Sequence, residues 1–278
     1  MTDNDFPVAS QEPSPKIDVT VPHSARVWNY FLGGKDHFPI DREAGDQARQ
    51  VFPQIVDIAR ADRAFLGRAV GYLAGEAGVT QFLDVGTGLP TMDNTHEVAQ
   101  RIAPESRIVY VDNDPLVLVH ARALLVGSPE GATDYVEADL RDPDKILEAA
   151  AATLDLTRPV AVMLLGILHF IGDLDDACRI VNRLMDAIPP GSHLVLTHAT
   201  LEIGDQSSIE ANAQMNEEWN EKASTQIGPR NREQILRFFD GLELVEPGLV
   251  SMTRWRPEDD PLGLPPEVAG YCGVGRKP

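Results

Sequence analysis

The chain has 278 residues, and 24 Lys and Arg stand against 43 Asp and Glu for a formal charge of −19. An acid excess on this scale argues against polyanionic partners: nucleic-acid binders hold phosphates through basic stripes, no Lys/Arg run here exceeds two residues, and an anionic bilayer would be repelled in the same way. Two cysteines, Cys178 and Cys272, are too few for a disulfide framework or a four-cysteine zinc site, which fits a reducing compartment.

Residues 1–20 carry acids and prolines and no long apolar core, unlike a signal peptide, and predict a disordered leader on a cytoplasmic protein. Ser24 can cap a short helix through Leu32, and Gly33-Gly34 is a natural stop because glycine tolerates positive φ. Apolar residues at 65, 66, 69, 70, 73, 74 and 77 repeat with helical spacing, so residues 61–77 should form a helix with one face on a sheet. Gln81–Val85 and Arg107–Asp112 read as the first two strands, with the capping-box spacing Asn94…Glu97 opening a helix between them. Asp114-Pro115 and Asp142-Pro143 each place a cap and an N1 proline before helices over 116–126 and 145–152. The third strand is expected at 133–137, the fourth at 160–165, and the fifth at 192–197 after a helix that ends at Pro189-Pro190-Gly191. Asp173, Asp175 and Asp176 read as the acidic first turn of that helix rather than as metal ligands. Farther on, an acidic helix with Trp219 covers 204–224, Asn231…Gln234 opens another helix, and 242–245 and 271–274 read as closing strands. The longest apolar stretch, 160–171, is interrupted by His169 and falls short of the roughly 20 residues that span a bilayer.

Strands alternating with helices imply right-handed crossovers and a mostly parallel α/β sheet with helices on both faces. With no internal repeat, the simplest organisation is one domain over 21–278: a helical amino-terminal cap at 21–60, and a Rossmann-like core at 61–278 with a lid near 204–224. Ligands of such sheets bind at the carboxyl edge, where strand order reverses. There the first strand ends in Asp84-Val85-Gly86-Thr87-Gly88, the second in Asp112-Asn113, and the third is followed by Asp139-Leu140. The glycine turn lacks the third glycine of the dinucleotide fingerprint, with Pro90 or Thr91 nearby instead. A pyrophosphate wants backbone N–H groups and positive potential, so Asp84 disfavours NAD. S-adenosylmethionine, with an ammonium, a sulfonium and a ribose diol, is complementary to an acidic rim, and Asp112 is placed to accept from both ribose hydroxyls.

At these residues the sequence resembles the class I S-adenosylmethionine-dependent methyltransferases. Phe82-Leu-Asp-Val-Gly-Thr-Gly88 looks like their first motif, Val109-Tyr-Val-Asp112 like the ribose-binding strand end, Glu137-Ala-Asp139-Leu140 like the adenine-side motif, and Leu164-Leu-Gly-Ile-Leu-His169 like the segment after strand four. The resemblance implies seven strands with the last antiparallel. It also implies that Asp84, Gly86, Thr87 and Gly88 hold the methionine end, Asp112 and Asn113 the ribose, Asp139 and Leu140 the adenine, and Leu165-Gly166 the floor beneath the sulfur. Pro90 departs from a usual small residue, and the 28 positions between Asp84 and Asp112 are longer than common.

A closer similarity, to the S-adenosyl methyltransferase family formerly called a domain of unknown function, rests on Ala25-Arg26, Tyr30, Leu32-Gly-Gly-Lys35, Phe38 and Asp41-Arg42, and later on Gly228-Pro229-Arg230 and 239–248. Tyr30, Gly33, Gly34 and Lys35 read either as a flap over the cofactor or as the end of a surface helix. His169 reads either as a base or orienting group or as a satisfied core histidine. No substrate follows from the resemblance. The expected function is methyl transfer from S-adenosylmethionine to a small-molecule acceptor, with no metal; a catalytically silent nucleoside-binding module and, more remotely, an NAD-dependent oxidoreductase are the alternatives.

Overall fold

The computed structural model describes residues 18–91, 93–124, 127–223, 225–258 and 263–278. The expected leader thus lies, up to residue 17, outside the described residues. The strands are β1 Gln81–Val85, β2 Arg107–Asp112, β3 Ala132–Glu137, β4 Ala161–Leu165, β5 His193–Ala199, β6 Glu243–Leu244, β7 Val250–Ser251 and β8 Gly270–Arg276. The helices are α1 Ser24–Phe31, α2 Pro39–Val51, α3 Ile55–Gly75, α4 Thr95–Ile102, α5 Pro115–Leu124, α6 Pro143–Ala150, α7 Leu174–Asp186, α8 Gln206–Lys222 and α9 Arg232–Leu236.

The sheet runs β3-β2-β1-β4-β5-β8-β6. Its first five strands are parallel, and β8, the last in the chain, is antiparallel to β5. This is the topology of the class I methyltransferase fold. The sequence pattern did not anticipate β7, a two-residue strand that pairs with β8 off the main path. It is too short to carry a period-2 signal.

Alternation along the strands divides the core into two layers. Phe82, Ile108, Tyr110, Met163 and Val195 pack with Phe65, Ala69, Val70 and Leu73 of α3, while Leu83, Val109, Val162, Leu164 and Leu196 pack with Ile146, Ile180, Val181 and Leu184 of α6 and α7. Burying a side chain such as Phe65 or Leu73, each without exposed surface, is worth about 1.5–3 kcal/mol. These layers fix the sheet and therefore the relative positions of its strand ends. Among the described residues, no helix is long and apolar enough to cross a membrane.

Two local expectations need correction. Ser24 is not the cap of α1: His23 holds that place with no side-chain cap of its own, and its N–H donates instead to Asp41 Oδ1 at 3.0 Å. The amino end of α1 is tied down from α2 by a tertiary contact that local sequence does not reveal. Asp41 also accepts from the Phe38 N–H at the start of α2 (2.8 Å) and pairs with Arg26 Nε at 3.0 Å, with both side chains buried. A second correction concerns α3, which begins at Ile55 rather than Ala61. Its first two turns carry residues that enter the site.

Candidate functional site

Strand order reverses between β1 and β4, because the chain leaves β1 toward β2 and returns across it from β3 to β4. At this switch point opens a cavity of about 290 Å³. Its floor is the carboxyl edge of the sheet. Asp84, Gly86, Thr87, Gly88, Asp112, Asn113, Asp139, Leu140, Leu165, Gly166 and His169 all line it. Residues far apart in sequence are thus brought to one place by parallel strand ends, as the rim argument requires.

Each strand end has a local reason for its shape. Gly86 has φ +78°, and a Cβ there would stand 2.7 Å from the Ile167 side chain, so the loop after β1 can lie against the loop after β4 only with glycine. Gly88, at φ +66°, lines the cavity with open space where a Cβ would project. Asp112 fixes this loop: its Oδ2 accepts from the Gly88 N–H at 2.9 Å, and its Oδ1 accepts from the Asp114 N–H at 2.9 Å. A carboxylate has about four acceptor positions, so two backbone bonds leave room for a diol. Asp84 accepts from Thr95 Oγ1 at 2.6 Å, which ties β1 to the start of α4. Burial pushes the carboxyls of Asp84 and Asp112 upward, against the hydrogen bonds that favour their ionised forms. Asp139 lies nearer the mouth with Asn113 Nδ2 at 3.4 Å and Arg141 at 3.2 Å.

The amino-terminal residues divide differently from expectation. The helix α1 itself covers the cavity, with Trp28, Phe31 and Leu32 among its lining. Tyr30 instead donates to Asp46 Oδ1 at 2.6 Å, and Gly33 and Gly34 line a separate outer groove. Gly33, at φ +80°, and Gly34 return their N–H groups to the carbonyls of Tyr30 and Asn29, so they act as the helix stop. A Cβ on Gly34 would collide with the Asn29 side chain. Lys35 is exposed and does not line the cavity.

Several lining residues were missed by motif reading. Asp62 and Arg63, about two turns into α3, both face the cavity. Asp62 accepts from Thr197 Oγ1 at 2.6 Å, and burial pushes its carboxyl up to about 6. Arg63 donates to Asn94 Oδ1 at 2.9 Å and lies in the field of Asp84 and Asp62. Asp62 falls four positions before Leu66 on the buried stripe of α3, and an acid on an apolar stripe is the signal that could have found it. The acidic helix α8 forms the roof: Asn212, Met215, Asn216 and Trp219 line the cavity, while Glu210, Glu217 and Glu221 are exposed.

The far end contains a pair of imidazoles. His169 and His198 lie edge to face with ring centroids 5.7 Å apart. His198 Nδ1 lies 2.8 Å from the Ala199 carbonyl, which can only accept, so Nε2 is left to accept from Arg230 Nη1 at 2.9 Å. Arg230 is buried and donates further to the carbonyls of Leu168 (2.9 Å) and Ile171 (2.5 Å), which locks the turn that carries His169. Burial, aided by the Arg230 charge, pushes His198 down to about 4. Burial, His198 and Arg230 together push His169 well below the usual histidine range. Both rings are neutral at pH 7, and His169 Nδ1 is buried without a hydrogen-bond partner among the described residues. Among those residues, no three His, Cys, Asp or Glu side chains gather as a metal site requires.

The sequence profile of the S-adenosyl methyltransferase family matches residues 10–278. Among solved structures, a DUF574 family protein from Streptomyces avermitilis is 46% identical, with a TM-score of 0.88 over 95% of this chain and 100% of that one. A structure described as a candidate methyltransferase from Thermobifida fusca is 43% identical, with a TM-score of 0.84 over 96% and 99% of the two chains. No curated protein matches the chain.

Proposed function

The chain belongs to the S-adenosyl methyltransferase family, and from that premise we propose that it methylates a small molecule enclosed between the sheet edge, α1 and α8. The observation that carries this reading is the convergence of the Gly86–Gly88 loop, Asp84, Asp112 and the segment after β3 on one cavity. The donor set fits the cofactor. Asp112 offers acceptors for a ribose diol, Asp139 and Leu140 border an adenine site, and the open wall at Gly88 leaves room for the ligand backbone. Asp84 suits the ammonium of the methionine end, and Arg63 suits its carboxylate, so a zwitterion meets both signs of charge. Four carboxylates against two guanidiniums in the lining favour a ligand carrying positive charge over a pyrophosphate.

When bound, S-adenosylmethionine supplies an activated methyl group on a cationic sulfur. What the protein must add is position and dryness, which can lower such a barrier by about 7–11 kcal/mol. The Asp112 bonds to Gly88 and Asp114 hold the binding loop in place before any ligand arrives. Trp28 and Phe31 from α1, with Met215 and Trp219 from α8, exclude water from above. The Arg230 clamp fixes the turn at residues 168–170, and so fixes His169 at the acceptor end. The strong net acidity supports a diffusible acceptor rather than a nucleic acid or a bilayer, and two free, buried cysteines support a cytoplasmic setting.

Calorimetric titration tests the reading. S-adenosylmethionine should bind wild type, NAD should not compete, and Asp112→Ala should lose about 1.5–3 kcal/mol of affinity, the range for hydrogen bonds to a charged group. Absence of binding at millimolar ligand, or unchanged affinity in the variant, would contradict it.

A further inference from the structure

Within that reading, the amino-terminal cap brings to the cofactor end of the cavity a polar group that no motif marks. His23, the residue before α1, lines the cavity together with Gly88, Asp112 and Asn113. Its Nδ1 lies 3.1 Å from Asp114 Oδ2, and the Asp114 N–H in turn donates to Asp112 Oδ1, so the imidazole stands beside the turn that carries the ribose carboxylate. Burial raises the Asp112 carboxyl, and the groups that oppose the rise include His23, which is close enough for its charge to be felt there. The cap is seated on both loops of this end. Ala25 and Phe38 pack against a cluster of Leu89, which follows Gly88, with Leu116 and Val117, which follow Asp114. The main chain at His23 is held as well: its N–H donates to Asp41, and Arg26, the buried partner of Asp41, donates to the carbonyls of Asp18 (2.9 Å) and Val21 (2.7 Å) on the approach to His23.

We propose that His23 is a cofactor-binding residue, its Nε2 hydrogen-bonded to a ribose hydroxyl of S-adenosylmethionine from the cap, as Asp112 is from the end of β2. A carboxylate only accepts, so Asp114 keeps the ring proton on Nδ1 and leaves Nε2 as the free nitrogen. Nδ1 is buried, with no partner but Asp114 among the described residues, whereas the side chain as a whole is 29% exposed, so the open edge of the ring is the one that holds Nε2. Asp112 already accepts from the Gly88 and Asp114 N–H groups and has room for the diol, yet it offers acceptors alone. A hydroxyl has one proton to give and two lone pairs to receive with. An imidazole answers it in either state of the ring: neutral Nε2 accepts the hydroxyl proton, and the protonated ring donates to the hydroxyl oxygen. Asp114 is then a positioning residue that acts through His23. The buried Arg26–Asp41 pair becomes the scaffold that sets the ring at the ribose, and the cap becomes part of the cofactor site.

This inference rests on the methyltransferase reading, and calorimetry with S-adenosylhomocysteine separates their failures. His23→Phe keeps a ring and removes both nitrogens, while His23→Gln keeps a polar atom at the reach of Nε2; neither touches the main-chain bond to Asp41. The first should bind S-adenosylhomocysteine about tenfold more weakly than wild type and the second within about threefold of it, as loss and retention of one hydrogen bond imply. The 2′,3′-dideoxy analogue of the ligand should bind wild type and His23→Phe equally, because it lacks the hydroxyl that His23 bonds. Asp114→Asn should weaken binding about threefold beside His23 and have no further effect beside Phe, the non-additivity of a residue that acts through the ring. In wild type, a measurement that needs no substitution, the nitrogen NMR resonance of His23 Nε2 should move when S-adenosylhomocysteine is added. Unchanged affinity in His23→Phe, equal weakening of the Phe and Gln variants, the same weakening toward the dideoxy analogue, additive effects of the two positions, or an unmoved Nε2 resonance would each overturn the role of His23 while leaving the methyltransferase reading intact. Failure of S-adenosylhomocysteine to bind wild type would remove both.

Discussion

Asp62 should weaken the fold it belongs to. Its carboxyl is buried on α3, and burial raises it from the 3.8 of an unfolded chain to about 6. Between those values the native state binds a proton that the unfolded state has released. Stability tied to this group is therefore complete below pH 3.8 and is lost as pH rises through 6. A rise of about two pH units corresponds to about 3 kcal/mol, at about 1.4 kcal/mol per unit. Asp62→Asn removes the titration and keeps a polar partner for Thr197. At pH 8 the apo variant should be more stable than wild type by about 3 kcal/mol, and near pH 4 the two should converge. Urea unfolding of both proteins at pH 4, 5, 6, 7 and 8 measures the difference directly, and comparing two proteins cancels every other titrating group. An unchanged gap across the series, or a variant less stable at pH 8, would refute the reasoning that Asp62 is held ionised at a cost the site accepts for its ligand.

Other expectations follow from single contacts. Asp41→Ala leaves Arg26 buried without its partner and frees the N–H groups of His23 and Phe38, so chemical denaturation should show a loss of about 3–5 kcal/mol. Gly86→Ala must place a Cβ against Ile167 at a positive φ, so it should lose about 2–4 kcal/mol of stability and bind S-adenosylhomocysteine more weakly by calorimetry. The His198 ring, with Nε2 facing Arg230, should show an NMR midpoint near 4, and Arg230→Met should raise it, because the cation that opposes protonation is gone.

Sequence alone made the sheet and most of its edge readable, because both depend on local patterns. Continuous apolar runs ended by Asp or Gly mark β1, β2 and β4, and the spacing Asn94…Glu97 marks the start of α4, where Glu97 Oε2 accepts the Asn94 N–H at 2.7 Å. From those elements the convergence of Asp84, Asp112 and Asp139 follows by topology. The rest depends on contacts between distant segments. Arg26 and Asp41 belong to the conspicuous opening motif, yet their role is a buried pair between α1 and α2 that spacing does not reveal. The Gly33-Gly34 pair could serve as flap or stop on local grounds, and the packing of Asn29 against Gly34 reveals the stop. Asp62 and Thr197 are 135 positions apart and meet only because α3 packs against β4 and reaches β5. Arg230 lies in a Gly-Pro-Arg stretch without regular structure, and only the folded chain shows its carbonyl partners after β4.

The most direct test of the account is a crystal structure of the protein with S-adenosylhomocysteine. It should show the ribose hydroxyls within hydrogen-bond distance of Asp112, the adenine beside Leu140, and the sulfur over Leu165 and Gly166. A nucleoside bound away from Asp112, or one whose sulfur lies away from Leu165 and Gly166, would contradict it.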